Sequence, residues 1–450
     1  MTLQTAPVGS RDLILNVHPV GAGNHPGAWR WPGADPRAFA KLDGYLEVAK
    51  VSERGKLDAI FLADVPGLHA PLTDYPIVNG LEPTIILAAI AAVTDHIGLV
   101  ASLSTTSNEP FNVARRIRAL DLASNGRAGW NAITTSNPLV SMNFAANIPS
   151  SEERYARADE FVAVVKALWD SWHAEALVAD ARVGFYADMN EIVPIHHHGT
   201  FYDVRGPITL PPSEQGHPVI FHAGVSDSSR RLTARTGEAM FSAVPDIDSA
   251  LAEKAEIRRL SSEFGREKNA VRYCPGLITS IGSTESEALL RREQLDELGD
   301  LDGSVRGLAA LLGVDPDELE VDRPAPDSVR DRLAVDPRRG RRAVDLVLRG
   351  LTIRDVIRRG GASGHITAVG TPEQIADLIE TWYVAGAVDG FTVMPDVTFD
   401  GLPAFVDFVV PLLQQRGIFR SEYRGTTLRD HYRLGAPDGA DQTALVRSKR

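Results

Sequence analysis

The sequence predicts a (β/α)8 barrel with two insertions, and three observations predict it. Short apolar runs rich in Val, Ile and Leu recur along the 450 residues, longer amphipathic stretches separate most of them, and polar residues gather directly after the runs. That alternation is the pattern of parallel strands covered by crossover helices. Eight strands favour a closed ring over an open sheet, where fewer are usual. Barrels of this kind run well past 250 residues once insertions are counted, so the length allows a single domain spanning 1–450.

The first strand is read at Asp12 to His18. A helical stretch from Phe39 to Arg54 leads to the second strand, Ala59 to Ala63, and another from Pro83 to Thr94 leads to the third, Ile97 to Leu103. Phe111 to Ala123 has apolar residues at helical spacing with Arg115, Arg116 and Arg118 on its other side. It stops at Asn125-Gly126, before the fourth strand at Ala128 to Thr134. A long helix, Glu152 to Trp172, comes next. From Ala174 to Gly216 the periodicity is lost, which reads as an insertion over one barrel mouth. Strands five to seven are Val219 to His222, Ala239 to Val244 and Gly276 to Ile281, with helices near Ser229 to Thr236 and Ile247 to Phe264. Ser283-Thr284 with Glu287 is a capping signal for a helix from Glu285 to Leu298. Gly299 to Gly364, rich in charge, Pro and Gly, is a second excursion that is partly helical from Arg342 to Arg359. Thr371-Pro372 then opens a helix to Ala385, Phe391 to Met394 is strand eight, Leu402 to Gln415 closes the ring, and a tail runs from about 417.

Composition narrows the function. With 59 acidic against 47 basic residues the formal charge is -12, which argues against a basic face for a nucleic-acid backbone. The single cysteine, Cys274, excludes an intramolecular disulfide and a cysteine-based zinc site, and reads as a small buried hydrophobe. No basic patch followed by an apolar run opens the chain, and the longest apolar stretch, Ile85 to Val93, is too short for a bilayer, so a cytoplasmic protein without a membrane partner is expected. His196-His197-His198 are adjacent and diverge, with no HExxH pattern nearby, so no metal is expected.

Function in this architecture comes from the carboxyl ends of the strands. Those ends are polar here: His18, Asp64, Ser102 to Ser107, Asn131 to Asn137 and Ser226 to Ser229. A heterocycle or a phosphate suits such a rim, with amides and hydroxyls pairing to it between apolar walls. The loop from His222 to Ser229 lies between a strand and a helix start, where an anion can meet backbone amides, although Ser and Asp there also serve as ordinary helix caps. No GxxxxGK[ST] loop is present.

Three blocks carry a resemblance: Gly27-Ala28-Trp29-Arg30, the stretch ALDLASNGRAGWNAITTS from Ala119 to Ser136, and ERYARADEF from Glu153 to Phe161. With IGLVASLSTTSNEPFNVARR, FHAGVS and RGTTL, they resemble the nitrilotriacetate and dibenzothiophene-sulfone monooxygenase branch of the bacterial luciferase-like flavoproteins, from about Asp12 to Leu434. The resemblance implies a luciferase-like TIM barrel that binds FMN as FMNH2, delivered by a separate NAD(P)H-dependent flavin reductase. It also implies a reaction with O2 that inserts one oxygen atom into a small organic substrate through a flavin C4a-hydroperoxide. By resemblance, Asp64, Ser102, Thr105, Asn131 and Thr135 line the ring and ribityl region. Tyr155, Ser226 and Asp227 sit at the phosphate end, with Ser229 close by, and a homodimer or homotetramer is implied.

Two departures stand out. Where the family carries a histidine four residues before the tyrosine of RY, this chain has Ser151, which donates a hydrogen bond but no positive charge. The usual Gly-Ser-Ser after strand five reads Gly224-Val225-Ser226. For proton transfer the candidate is His25, with His18 as the other choice. A deazaflavin-dependent oxidoreductase and a non-catalytic flavin-binding protein on the same barrel are the competing expectations.

Overall fold

The computed structural model describes residues 13–68, 77, 80–144, 149–333 and 340–437. Asp12, read as the start of the first strand, lies outside them. Strands β1 (Ile14–Val17), β2 (Ala59–Leu62), β3 (Gly98–Ser104), β4 (Ala128–Ile133), β5 (Val219–Ala223) and β6 (Ala239–Phe241) pair in that order, all parallel. The chain continues through β7 (Arg272–Tyr273), β8 (Gly276–Ile281), β9 (Ile366–Gly370) and β10 (Gly390–Pro395), and β10 pairs with β1. Residues 272–276 close the ring. On one side Cys274 and Gly276 donate N–H bonds to Met240 and Ser242 carbonyls at 2.9 and 3.0 Å; on the other, Asp389 and Thr392 donate to Tyr273 and Pro275 carbonyls at 2.9 Å each.

Period-two alternation assigns the faces. Leu15, Val17, Ile60, Leu62, Leu99, Ala101, Leu103, Trp130 and Ala132 point to the main apolar core between strands and helices. Ile14, Ala59, Phe61, Val100, Val219 and Phe221 belong to a second cluster inside the ring. Higher along β3 and β4 the same inward parity falls on Ser102, Ser104 and Asn131, so the barrel interior turns from apolar to polar toward the carboxyl ends.

The helices match their sequence signals. They include α1 (Leu42–Arg54), α2 (Pro83–Ala91), α3 (Pro110–Ala123), α4 (Ser151–Trp169), α5 (Asp227–Thr236), α6 (Ile247–Glu263) and α7 (Glu285–Leu298). Asn125 (φ 54°) and Gly126 (φ 79°) make the left-handed stop after α3, a conformation that asparagine and glycine adopt most readily.

Three features differ from the sequence reading. The second excursion is mostly helical, with α8 (Leu301–Leu312), α9 (Arg341–Leu348) and α10 (Ile353–Arg358), and it buries an apolar cluster of its own around Leu308, Leu312, Val347 and Ile353. It hands over to β9, an added parallel strand against β8 that the sequence reading leaves unassigned before α11 (Pro372–Val384). Residues 418–434 pack over the amino ends of the strands. Leu13 N–H donates to the Ile418 carbonyl (2.9 Å), Tyr423 Oη to the Leu57 carbonyl (2.7 Å) and Tyr432 Oη to Asn16 Oδ1 (2.6 Å).

Candidate active site

The inward polar positions of β3 and β4 meet because the strands are in register at Ser102 and Asn131. Asn131 donates from Nδ2 to Ser102 Oγ (2.8 Å), and its buried Oδ1 has no partner. One turn higher, Thr135 Oγ1 donates to Ser104 Oγ (2.7 Å), which also accepts from the Thr106 N–H (3.1 Å). Thr105 bonds the Ile133 carbonyl through both N–H (2.8 Å) and Oγ1 (3.1 Å), so its own polar atoms serve to hold the β3–β4 rim together. Asp64 follows β2 by two residues. Burial, reinforced by the nearby Glu82 carboxylate and opposed by Arg116, pushes its carboxyl up to about 6.

A second group forms where α4 meets the β5–α5 loop. Tyr155 Oη lies 3.3 Å from Ser226 Oγ, which bridges residues of two separate elements. Ser226 caps α5 by accepting from the Ser229 N–H (3.1 Å), and Ser229 Oγ donates to the Ala223 carbonyl (3.3 Å). Gly224 adopts φ 134°, and a side chain there would meet Ser229 Oγ. Glycine there lets the Ser229 side chain pack directly against the turn. Asp227 is exposed and accepts from Arg230 Nη1 (2.6 Å), whose guanidinium is also held bidentately by Glu253 at 2.9 Å twice. Ser151 is exposed in the first turn of α4, and the cap itself is Ser150, which accepts from the Glu153 N–H (3.1 Å).

His25 stands apart, at the ends of β1 and β10 and against α7. The Gly27 N–H donates to Nδ1 (3.0 Å), which puts the imidazole proton on Nε2, facing Asp296 Oδ1 at 2.9 Å. Burial, with the Arg292 guanidinium, holds the ring below its ordinary range against the pull of Asp296. The contact is therefore a hydrogen bond from a neutral imidazole. Among the described residues His18 bonds through one nitrogen: Nδ1 donates to the Phe61 carbonyl (2.8 Å), and its ring packs between Phe61 and Phe241.

Much of what looks like site sequence is scaffold. Arg127 of the GRAGWN stretch is buried and donates to the carbonyls of Ser124 (2.7 Å), Ile97 (2.8 Å) and Thr94 (2.8 Å). Asp121 accepts from the Ala128 N–H (3.1 Å) and from the side chains of Ser213 and Gln215. Arg30 donates to the Leu298 carbonyl at 3.0 Å. His197 and His198 turn to different carboxylates, Glu160 and Asp203, at 3.0 Å each, and no group of three metal-binding side chains occurs among the described residues. The sequence reading names Ser104 only within the run Ser102 to Ser107 and does not name Asp296. Inward parity with Ser102 marks the first; nothing local marks the second, 271 residues from His25.

The sequence pattern of the luciferase-like monooxygenases matches residues 19–390. The chain belongs to that family. Nitrilotriacetate monooxygenase component A of Aminobacter aminovorans is 39% identical over 92% of this chain and 95% of its own length. N-acetyl-S-(2-succino)cysteine monooxygenase of Bacillus subtilis (strain 168) is 38% identical over 95% and 98%. Among solved structures, EDTA monooxygenase from Chelativorans sp. BNC1 superposes with a TM-score of 0.81 at 30% identity, covering 95% of this chain and 99% of its own. Riboflavin lyase with modified FMN and riboflavin superposes with a TM-score of 0.78 at 29% identity, covering 94% and 96%. This chain is a flavin-dependent monooxygenase, and its barrel is the luciferase-like one. Among the described residues, no helix is long and apolar enough to cross a membrane.

Proposed function

We propose that this monooxygenase is the oxygenase component of a two-component system, taking FMNH2 from a separate NAD(P)H-dependent flavin reductase and placing one atom of O2 in a small organic substrate. The observation that carries the reading is the Tyr155–Ser226 contact, which joins α4 to the β5–α5 loop beside the polar β2–β4 rim. The residues fit the cofactor: the buried, unpartnered Asn131 Oδ1 asks for a donor. Asp64, Ser102, Thr105, Asn131 and Thr135 would hold the ring and ribityl portion; Ser151, Tyr155 and Ser226 would hold the phosphate, with Asp227 fixing the α5 start through Arg230. Bound reduced flavin supplies the reaction with oxygen. The protein binds and orients it, keeps water out with the two insertions, and moves protons.

For the proton, His25 acts only if one of its two ring hydrogen bonds opens. His18 Nε2 makes no hydrogen bond to the described residues, and this favours a second reading in which His18 carries the proton at the mouth. The two separate in pH profiles of turnover: replacement by Gln at the residue that titrates removes a limb of the profile, and replacement at the other leaves the limb in place.

Anaerobic titration with FMNH2, followed by reductase-coupled oxygen consumption with a substrate panel, tests the whole. Binding with substrate-dependent, oxygen-dependent turnover supports the reading. Binding without turnover on any substrate leaves a flavin-binding protein, and preference for a deazaflavin with oxygen-independent turnover leaves a hydride transferase. Ser151→His adds a cationic donor and is expected to tighten FMNH2 about three- to tenfold, as one charge-assisted bond to phosphate would. A homodimer or homotetramer belongs to the same proposal, and the exposed Val183, Tyr186 and Met189 of the first insertion support it; sedimentation equilibrium reads the mass.

A further inference from the structure

A cavity of about 370 Å³ lies away from the flavin residues, between β9 and the helices α7, α9 and α11 packed around it. Its walls are of two kinds. Leu289, Leu346, Ile375 and Leu378 are apolar, whereas Arg342, Arg349 and Arg359 bring three guanidinium groups to the same space. Such a concentration of cations is unlike the rest of a chain whose formal charge is -12.

Two of these arginines, Arg342 and Arg359, are not neutralised as their neighbours are. On the same segment Arg354 is paired with Asp322 (2.7 Å), and Arg358 with Glu293 (3.0 Å) and Asp355; neither lines the cavity. Arg342, which does, donates from Nη2 to the carbonyls of Arg359 (2.8 Å) and Thr367 (3.4 Å), contacts that fix the head without cancelling its charge. The Nε–H groups of Arg342 and Arg359 are buried and find no acceptor. Asp345 is the acidic side chain near Arg342, and it is engaged by Arg349 at 2.7 Å. Among the described residues, no carboxylate pairs with Arg342 or Arg359. Burial disfavours the charge on Arg342, and the Arg349 and Arg359 guanidinium groups add to it. Mutually repelling, partly buried guanidinium groups beside an apolar-walled space are what an anion relieves, and the bidentate fork of arginine suits carboxylate and phosphate alike. The volume is that of a small-molecule site.

We propose that this cavity is a second binding site, specific for a small organic anion bearing a carboxylate or phosphate on an apolar body. Arg342 and Arg359 hold the acidic group, and Leu289, Leu346 and Leu378 hold the body. None of its residues belongs to the flavin set. Leu289 lies on α7, two turns before the Asp296 that holds His25, so an occupant touches the helix that backs the barrel mouth.

Calorimetry on the full chain tests it with four probes: phthalate, phenyl phosphate, inorganic phosphate and the uncharged dimethyl phthalate. One equivalent of phthalate or phenyl phosphate is expected to bind, with inorganic phosphate and dimethyl phthalate at least tenfold weaker; whichever of the first two binds more tightly identifies the acidic group. Arg359→Gln and Arg342→Gln are each expected to weaken that binding at least tenfold and to leave FMNH2 affinity unchanged. Arg359→Gln guards against misfolding, because its side chain makes no hydrogen bond to the described residues and its loss leaves Tm unchanged. Binding undiminished in both variants, equal binding of dimethyl phthalate or inorganic phosphate, or no binding of either organic anion overturns the proposal.

Discussion

Tyr155 and Ser226 are 71 residues apart in sequence and meet through their hydroxyls, yet their other duties differ. Ser226 also caps α5, while Tyr155 caps nothing, and this separates binding from stability. Tyr155→Phe is expected to weaken FMNH2 about tenfold or more, the loss of one hydrogen bond to a charged group at roughly 1.5–3 kcal/mol, with Tm unchanged. Ser226→Ala weakens binding similarly and also lowers stability by about 1 kcal/mol as the cap is lost; fluorescence titration and thermal melts on the same samples check both. Asp64 gives a pH prediction. Its carboxyl titrates near 6 in the folded chain against about 3.9 unfolded. The folded state therefore binds the extra proton between those values, and stability falls as pH rises through that window. Asp64→Asn removes the penalty: it is expected to raise unfolding free energy by roughly 1–3 kcal/mol above pH 7 and by nothing below about pH 4. Urea denaturation at several pH values reads this, and a gain that persists at pH 4 sinks it. At this scale Ser102, Asn131 and Thr135 fall on the polar rim that the residues after strands three and four predict, whereas Tyr155 comes only from the resemblance of the ERYARADEF block. Asp296 was not legible, because its partnership with His25 exists only across the folded ring.

Helix α4 shows how one element serves two regions. Tyr155 faces the β5–α5 loop; five residues on, about 140° round the helix, Glu160 faces the first insertion. Its carboxylate accepts from the N–H groups of Thr200 (3.1 Å), Phe201 (3.1 Å) and Tyr202 (3.0 Å) and from His197. The ERYARADEF block thus combines a proposed site residue with a clamp. Glu160→Ala leaves three backbone donors without an acceptor, and limited proteolysis near residues 196–205 is expected to quicken by an order of magnitude or more while the barrel stays folded. Unchanged cleavage would mean that the insertion docks by its apolar contacts alone. Helices with capping signals were read closely: the Thr284 cap places the start of α7 where the sequence does. β9 escaped because five residues with two large apolar side chains, Ile366 and Val369, carry too little periodicity to register, and the Thr371-Pro372 signal beside them drew the boundary. Pairing with β8, which lies 89 residues earlier at Leu277 and Ile366, is what makes that segment a strand.

Across the whole molecule, eight-fold alternation was enough to give the ring and its polar rim, whereas the role of the last segment was invisible locally. RGTTL belongs to the floor of the barrel. Thr427 caps a short turn, and Leu428 fills the space left where β3 and β4 have glycine; a side chain at Gly98 or Gly129 would run into it. Leu428→Ala is expected to cost roughly 2–5 kcal/mol, measured by urea denaturation, because the glycines opposite cannot collapse onto the cavity. A loss below 1 kcal/mol would mean that the floor is dispensable. The hydrogen bond from Tyr432 to Asn16 spans 416 residues. During synthesis at about 5–20 residues per second, β1 leaves the ribosome roughly 20–80 seconds before the residue that seals it. For most of that interval β1 has no partner on its β10 side, and the base stays uncovered even after Gly390–Pro395 pairs with β1, so a polypeptide cut short before Tyr432 lacks the bond that ties the floor to Asn16.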